Sequence, residues 1–327
     1  MDGPVRLRAP LDDLRTLLAS AEPLARVERV PLASALGRVL AEPIVAAAPV
    51  PARPLARRRG YAVASAETLG ASSYAPVPLS RAEPVCAGEA LPEGTDAVLP
   101  EEEAERFGTA VQALTTLAPG ENALAAGSEL GAGETVLDAG AVLTARALGA
   151  AAAAGIGELV VRVRPRVAVT LQGPAGAMLR AAAGPALTDD TDDADLVILP
   201  SDGLPRLACR PLEDAAFARD GARWRLALPE TAAAWLGWAA LALPLLARLE
   251  GRSPRSSCPA RLAARVASAV GVADLVPVAR EGAVARPLAS PDAPTWRAIA
   301  DAHGFVEIPP ASEGLAEGSE VVVVPFH

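Results

Sequence analysis

The pattern of apolar residues changes twice along this chain, and these changes limit what it can fold into. Residues 11–21 have leucines at helical spacing, and residues 143–155 form an alanine-rich helical pattern that a glycine closes. Between them, residues 47–142 contain short apolar runs separated by prolines and glycines, which is typical of short strands and turns. The sequence therefore predicts a β-rich stretch flanked by helical ones.

Two continuous apolar runs follow, PRVAVTL (165–171) and ADLVILP (194–200). Such runs favour a parallel sheet that is covered on both faces. Beyond about residue 253 the pattern returns to short strands. A further apolar stretch, residues 232–247, is shorter than the roughly 20 residues that cross a membrane. We interpret it as a buried helix with Trp235 and Trp238 in its core-facing surface.

Composition excludes several classes of function. The chain has 30 basic and 39 acidic residues and a net charge of −9, which argues against a general nucleic-acid surface. All basic residues are arginines, so a P-loop lysine, a Schiff-base lysine and a serine–lysine dyad are excluded. The 3 widely spaced cysteines predict neither a disulfide framework nor a zinc site. Since the N-terminus has no apolar leader, we expect a cytoplasmic protein without a nucleic-acid or membrane partner.

Three segments carry a resemblance to a known family: PLASALGRVLAEPIVA (31–46), ARPLARRRGYAV (52–63) and the stretch from PGENAL to RPRVAV (119–169). Together they resemble the molybdopterin molybdotransferase family, also called the MoeA and gephyrin E-domain family, whose members insert molybdate into the pterin dithiolene cofactor. Residues 293–326 resemble the family's closing pattern of helix, glycine, strand, proline turn and final strand. At the level of the fold, the resemblance covers nearly the whole chain.

The resemblance implies a mixed α/β, multi-domain fold. Its parts are a compact doubly wound α/β domain of the molybdopterin-binding type, an inserted β-rich domain and a C-terminal β-barrel-like domain. The α/β domain is compact because only residues 172–193 separate its first two strands, where the family has one more strand–helix unit. The implied domains are residues 1–46 plus 143–164 (a split N-terminal domain), 47–142 (the insertion), 165–253 (the α/β domain) and 254–327 (the C-terminal domain).

The catalytic motifs of the family are mostly altered in this chain. The first motif usually reads Asp-Asn-Ser-x-Met-Asp-Gly-Tyr-Ala, and here Gly60 and Tyr61 are kept while Arg59 stands where the second Asp is expected. After the PRVAV strand, the family's Thr-Gly-Asp-Glu-Leu becomes QGPAG (172–176), so both acids are absent. Hard cations such as Mg²⁺ need oxygen ligands. The resemblance therefore implies that molybdate insertion is lost or strongly reduced.

Two carboxylates remain as candidates for catalysis, Glu129 and Asp202. Glu129 matches a third acid of the family, and Asp202 lies just beyond an apolar strand. A rearranged active site would use them, and only then would Mg²⁺ and molybdate be needed. We predict no resident metal site. The acidic run DDTDDAD (189–195) is more typical of a solvated loop than of a cation site.

The predicted ligand-binding residues fall into two groups. Arginines before the kept Gly-Tyr pair would bind the terminal phosphate of a pterin bidentately, unless they are solvated surface. A Ser-Asp-Gly segment follows an apolar strand, where open α/β sheets bind ligands, although an ordinary turn has the same sequence. By the resemblance, one further arginine and a proline match family residues in altered motifs of the pocket. The set is Arg57, Arg58, Arg59, Gly60, Tyr61, Ser201, Asp202, Gly203, Arg210 and Pro229.

These observations lead to the hypothesis of a degenerate molybdotransferase-like protein in molybdenum cofactor biosynthesis or handling. It would bind molybdopterin, or an enzyme that matures the cofactor. One alternative is an active molybdopterin molybdotransferase with a rearranged site. Another is a non-catalytic structural partner of a full-length paralogue. Because family members resemble elongated homodimers with sites between protomers, the resemblance implies a homodimer or a heterodimer with a paralogue, with molybdenum enzymes as further partners.

Overall fold

The computed structural model describes residues 8–108, 110–253 and 256–326. The chain divides into two compact units: Arg29–Val161, here called the central unit, and Met1–Glu28 together with Arg162–His327, here called the terminal unit. The fold is mixed α/β and multi-domain, which confirms the predicted class, while the four-domain division stays a prediction. No helix among the described residues is long and apolar enough to cross a membrane.

The central unit consists mainly of short strands, as its proline- and glycine-rich sequence predicts. After helix α1 (Leu11–Ala19) of the terminal unit, the elements are β1 (Val27–Pro31), β2 (Ile44–Val45), β3 (Leu55–Ala56), β4 (Gly60–Val63), β5 (Val77–Pro78), β6 (Glu83–Val85), β7 (Ala97–Pro100), β8 (Ala104–Phe107), β9 (Ala110–Ala113), β10 (Ala123–Leu124), β11 (Thr135–Leu137), α2 (Ala145–Ala153) and β12 (Glu158–Arg162). Its largest sheets are antiparallel and three-stranded, with the orders β6-β4-β7 and β5-β9-β8. The remaining strands pair in twos, as in β10-β3 and β11-β2.

Two main hydrophobic cores stabilise the central unit. One joins the stretch 30–44 to the stretch 143–161, with Leu40 and Leu143 buried. The other lies among β4, β7 and β9 and contains Leu99. Thr144 caps the N-terminus of helix α2, and its hydroxyl accepts the N–H of Ala147 at 3.2 Å. That bond satisfies one of the free N–H groups of the first helical turn.

The terminal unit contains a four-stranded sheet of order β13-β14-β17-β16. The strands of this part are β13 (Val167–Val169), β14 (Leu196–Pro200), β15 (Cys209–Arg210), β16 (Ala216–Asp220) and β17 (Arg223–Leu228). β13, β14 and β17 are parallel, and β16 is an antiparallel edge strand. The carboxyl ends of the three parallel strands therefore meet at one edge of the sheet, where open α/β sheets bind ligands.

The helices of this part pack on the sheet through one large core. They are α3 (Gly173–Ala183), α4 (Ala234–Gly237) and α5 (Leu243–Leu249), with a π-helical turn, Trp238–Ala242, between the last two. The apolar stretch 232–247 is therefore helical and largely buried, as predicted. Trp238 is 2% exposed and belongs to that core, whereas Trp235 is only partly buried.

A closed five-stranded barrel forms the C-terminal part and confirms the predicted barrel-like domain. Its elements are β18 (Cys258–Leu262), β19 (Val266–Ala267), β20 (Ala273–Glu281), β21 (Val284–Pro287), α6 (Trp296–Asp301), β22 (Gly304–Ile308), β23 (Gly314–Leu315) and β24 (Glu320–Pro325). The pairing runs β20-β21-β18-β24-β22 and returns to β20. β15 extends this sheet by pairing with β20.

Candidate functional site

The first predicted group lies in the turn between β3 and β4 of the central unit. Gly60 begins β4, where a Cβ atom would lie 2.1 Å from the backbone oxygen of Leu99 in β7. Only glycine therefore fits between β4 and its neighbour. Tyr61 is 8% exposed and packs in the core beside Leu99. These two kept residues fix the strand, and the three arginines before it are exposed.

Carboxylates of the turn after β7 compensate two of these arginines. Arg58 pairs with Glu102, and Arg59 Nε donates to Glu101 Oε1 at 2.9 Å. A backbone hydrogen bond lowers the pKa of Glu102, and the charge of Arg58 adds to this effect. Arg57 is exposed and makes no ion pair with the described residues. It is therefore the cation of this turn with the least compensation.

Glu129 lies in a different turn of the central unit. Its backbone N–H donates to the oxygen of Val50 at 2.9 Å, and the nearby Gly127 has a φ of 70°. The Glu129 side chain is exposed. Within the described part of the chain, no hydrogen bond or ion pair joins it to the arginines of the β3–β4 turn. Its carboxylate remains available to solvent.

The second predicted group follows β14 at the carboxyl edge of the parallel strands. Ser201 donates its N–H to the oxygen of Leu228 at 2.9 Å, and its hydroxyl donates to the carboxylate of Asp214. The guanidinium of Arg206 and the N–H of Leu204 hold the carboxylate of Asp202. The hydrogen bond from Arg206 is the main cause that lowers the pKa of Asp202 to about 2.

Gly203 has a φ of 75°, a conformation in which glycine is favoured. With the bond from Leu204 N–H to Asp202, this geometry describes an ordinary Asp-Gly turn that closes on itself. The structure thus brings Ser201 to the sheet edge beside Leu228, while Asp202 is held by its neighbours in sequence.

Arg210 lies in β15, and its guanidinium is fully engaged. Its Nε and Nη2 donate to the two oxygens of Asp274 at 2.7 and 2.6 Å, and Nη1 donates to Asp292 at 2.5 Å. Asp274 is 0% exposed. These hydrogen bonds raise the pKa of Arg210, so the arginine stays charged. In this arrangement it fastens β15 to β20 of the barrel.

A further carboxylate, which no sequence pattern singles out as a site residue, lies at the same sheet edge. Pro229 directly follows β17, and the next residue, Glu230, accepts the backbone N–H of Gln172 through Oε1 at 3.0 Å. Gln172 precedes α3, so the carboxylate lies at the positive end of that helix. The signal in the sequence is the acid Glu230 after Leu228 and Pro229: by the resemblance, this segment matches the family's Leu-Pro-Gly-Asn-Pro, which has glycine at that position.

The acidic run at 189–195 is paired with arginines. Arg26 pairs with Asp195 at 2.5 Å, Arg223 pairs with Asp192 at 3.4 Å, and Arg166 pairs with Asp193. Among the described residues there is no group of three or more His, Cys, Asp or Glu side chains placed to hold a metal ion. The run lies at the opposite end of β14 from Ser201.

Two family models match the sequence. The model of the MoeA N-terminal region (domain I and II) matches residues 9–155, and that of the MoeA C-terminal region (domain IV) matches residues 259–326. The two matches flank residues 156–258, which hold the parallel sheet and the altered motifs around Gln172 and Ser201.

Two curated proteins resemble part of the chain. Molybdopterin molybdenumtransferase 2 of Mycobacterium tuberculosis is 34% identical over an alignment of 162 residues that covers 44% of this chain and 40% of that protein. A putative molybdopterin biosynthesis protein of Methanocaldococcus jannaschii is 30% identical over an alignment of 146 residues that covers 42% of this chain and 37% of that protein. The matched part thus spans less than half the length of either relative.

Solved structures resemble the whole fold. A molybdopterin biosynthesis MoeA protein from Pyrococcus horikoshii has a TM-score of 0.80 at 24% identity and covers 98% of this chain and 99% of its own. A molybdenum cofactor biosynthesis protein from Pyrococcus furiosus has a TM-score of 0.63 at 19% identity, with 97% and 98% covered. At these identities the likeness concerns the fold alone.

Proposed function

Because this chain belongs to the MoeA family, we propose that it serves molybdenum cofactor biosynthesis or handling by binding a pterin, or an enzyme that matures the cofactor, with molybdate insertion lost or reduced. The observation that carries this proposal is the exchange of the expected Asp for Arg59 directly before the kept Gly60 and Tyr61. The residues that pack β4 are kept, while the residue directly before the strand changes from the negative charge of the expected Asp to the positive charge of Arg59. A turn that would attract a cation now attracts an anion.

The charges of the β3–β4 turn support phosphate as the anion. Arg58 and Arg59 are paired with Glu102 and Glu101, but these pairs are exposed, with 45% and 73% of the arginine side chains accessible. Exposed pairs contribute little stability, so a phosphate, which carries more charge and accepts from guanidinium groups bidentately, can displace them. Arg57 makes no ion pair with the described residues, so a phosphate could bind it without displacing a carboxylate. Molybdopterin is therefore the proposed ligand.

Calorimetry with a phosphorylated pterin tests this role. Arg57→Ala should weaken binding by about 10- to 150-fold, because one charge-assisted hydrogen bond contributes about 1.5–3 kcal/mol. Arg106→Ala is the matched control, since Arg106 is an exposed arginine of the same unit in β8. Equal affinity of the native protein and the Arg57→Ala variant would remove the support for phosphate binding at this turn. Binding of a cofactor-maturing enzyme would then be the proposal to test.

An active transferase with a rearranged site is the second candidate. The observation that favours it is the exposed Glu129 carboxylate, which has no ion pair with another described residue. Asp202 is less available for catalysis, because both of its carboxylate oxygens already accept hydrogen bonds from Arg206. In this case Mg²⁺ and molybdate would be required, and Glu129→Gln should abolish turnover in a reconstituted assay.

A homodimer or a heterodimer with a paralogue fits either candidate, and size-exclusion chromatography with light scattering would distinguish them from a monomer.

A further inference from the structure

A cavity at one end of the C-terminal barrel has no part in the function proposed above. β18 and β22 begin at this end, while β20 and β24 finish there. The cavity, here called the barrel mouth, has a volume of about 350 Å³. Small-molecule sites have volumes of about 300–1,000 Å³ and often lie in the mouths of β-barrels. The residues that line it are Cys258, Arg280, Gly282, His303, Val323 and Pro325.

A thiol and a guanidinium group belong to the inner face of the barrel at this end. Side chains that lie directly opposite each other on neighbouring strands share one face of the sheet. Arg280 is opposite Ala285, and Cys258 is opposite Val323. Ala285 and Val323 both belong to the hydrophobic core of the barrel. The side chains of Cys258 and Arg280 therefore continue the inner face of the barrel from this core into the cavity.

The guanidinium of Arg280 is fixed in place but has no counter-charge. Its Nε donates to the oxygen of Gly282 at 2.8 Å, and Gly282 also lines the cavity. Among the described residues, no carboxylate pairs with Arg280. Its Nη1 and Nη2 groups thus have no partner in that part of the chain. A guanidinium presents such groups as a planar fork that matches the two oxygens of a carboxylate.

His303 fixes the backbone that carries this arginine. Nδ1 of His303 accepts the backbone N–H of Arg280 at 3.2 Å. Since Nδ1 is the acceptor, the proton of the neutral ring is on Nε2. No acidic residue is among the described residues that line the barrel mouth. The charge of the lining therefore favours an anion over a cation.

The rest of the lining is apolar and limits the charge of the ligand. Val323 and Pro325 present hydrocarbon, and a thiol such as that of Cys258 behaves as a small hydrophobic group. Arg280 supplies one positive charge. A dianion would keep an uncompensated charge against the apolar wall, which is costly. A monoanion with an apolar body matches both the single charge and the wall.

We propose that the barrel mouth binds a small aliphatic monocarboxylate, whose carboxylate pairs with Arg280 while its hydrocarbon part contacts Val323 and Pro325. This site is independent of the phosphate binding proposed for Arg57, which belongs to the central unit. Loss of one binding activity would leave the other intact.

Isovalerate is a suitable probe, because it is a monoanion with a branched hydrocarbon body. Isovaleramide has nearly the same shape without the charge, and sulfate is a dianion without hydrocarbon. The full chain would be titrated with each compound by calorimetry at constant ionic strength. Isovalerate should bind in the millimolar range or tighter, and about tenfold better than isovaleramide, since only the carboxylate makes charge-assisted hydrogen bonds. Sulfate should bind more weakly than isovalerate.

Arg280→Ala should weaken isovalerate binding by about tenfold or more, because the carboxylate loses its counter-charge. Arg286→Ala is the matched control and should bind as the native protein does. Arg286 is an exposed arginine of β21 in the same barrel, and it makes no ion pair with a described residue. Circular dichroism would show that both variants are folded. If Arg280→Ala is not, Arg280→Gln, which keeps a polar side chain, takes its place.

The cysteines provide a second readout that reports the place of binding. Cys258 lies in the barrel mouth, whereas Cys86 is exposed in the central unit. Saturating isovalerate should slow the alkylation of Cys258 by iodoacetamide several-fold and leave that of Cys86 unchanged, as measured by peptide mass spectrometry.

Several outcomes would overturn the proposal. They are the absence of isovalerate binding, equal binding by the Arg280 variant, isovaleramide binding as tight as that of isovalerate, and sulfate binding that is tighter. Alkylation of Cys258 at an unchanged rate in saturating isovalerate would show that the acid binds elsewhere, and it would overturn the proposal as well.

Discussion

Glu230 Oε1 accepts the backbone N–H of Gln172 at 3.0 Å, so a side chain of the protein itself lies at the N-terminus of α3. Free N–H groups and the helix dipole make such a position favourable for negative charge. The same helix has Pro174 in its first turn, which removes one donor. Glu230 thereby holds the end of β17 against the beginning of α3 and stabilises the carboxyl edge of the sheet.

Removing this carboxylate should lower stability by a moderate amount. For Glu230→Ala we expect the free energy of unfolding to fall by about 0.5–1 kcal/mol, the usual contribution of a charge at a helix N-terminus. Glu230→Gln keeps an acceptor for the N–H of Gln172 and should lose less. Urea unfolding followed by circular dichroism would measure both. Equal losses in the two variants would show that the negative charge contributes most of the effect.

Arg210 should be a strong stabilising residue, whatever its effect on ligands. Arg210→Ala leaves the carboxylate of Asp274, which is 0% exposed, without its partner. Breaking a buried pair in this way costs about 3–5 kcal/mol. The double variant Arg210→Met with Asp274→Leu should recover much of this loss, because no charge remains buried.

The exposed pair of Arg297 and Asp301 provides the control for this experiment. Its side chains are 86% and 47% accessible, so Arg297→Ala should change the free energy of unfolding by less than about 0.5 kcal/mol. Urea unfolding measures all three variants. An equal free energy of unfolding for Arg210→Ala and Arg297→Ala would show that the buried pair of Arg210 and Asp274 does not stabilise the contact between β15 and β20.

The sequence predicts the strands and helices of this chain better than its ion pairs. Periodicity and proline spacing indicate the β-rich central stretch, the buried helix and the β-rich C-terminal part, because these depend on local patterns. The closure of the C-terminal part into a barrel depends on long-range strand pairing, and only the family resemblance implies it. Pairs such as Arg59 with Glu101, or Arg210 with Asp274, join residues far apart in the sequence, and only the folded chain defines them. The two tryptophans show the same limit. Trp238 is in the core as predicted, while Trp235, three residues earlier, also lines a groove.

Asp202 should titrate at unusually low pH. The hydrogen bond from Arg206 lowers its pKa from the ordinary 3.8 to about 2, so the carboxylate form is favoured in the folded state. Its contribution to stability is therefore present above about pH 4 and is lost as the pH falls towards 2. Carbon-detected NMR of the side-chain carboxyl would give the midpoint directly. In Arg206→Ala the midpoint should move up towards 3.8, and an unchanged midpoint would contradict the assigned cause.

Purified protein should not convert an adenylylated pterin and molybdate into mature cofactor in a reconstituted assay with Mg²⁺. Arg59 places a positive charge where the family has an acid, and two like unit charges 4 Å apart repel by roughly 4 kcal/mol at an effective dielectric constant near 20. Restoring the first acid with Arg59→Asp should leave the fold intact, since this side chain is 73% accessible. It should not restore turnover.

The second acid position is the reason for that expectation. Ala175 is 0% exposed in α3, so Ala175→Asp would bury an unpaired carboxylate and destabilise the protein instead of completing a metal site. An intact MoeA protein serves as the positive control of the assay. Turnover by the native chain at a rate comparable to that of the intact MoeA protein would contradict the proposal that molybdate insertion is lost or reduced. Glu129→Gln would then show whether the exposed Glu129 carboxylate has taken over the chemistry that Arg59 and Ala175 no longer support.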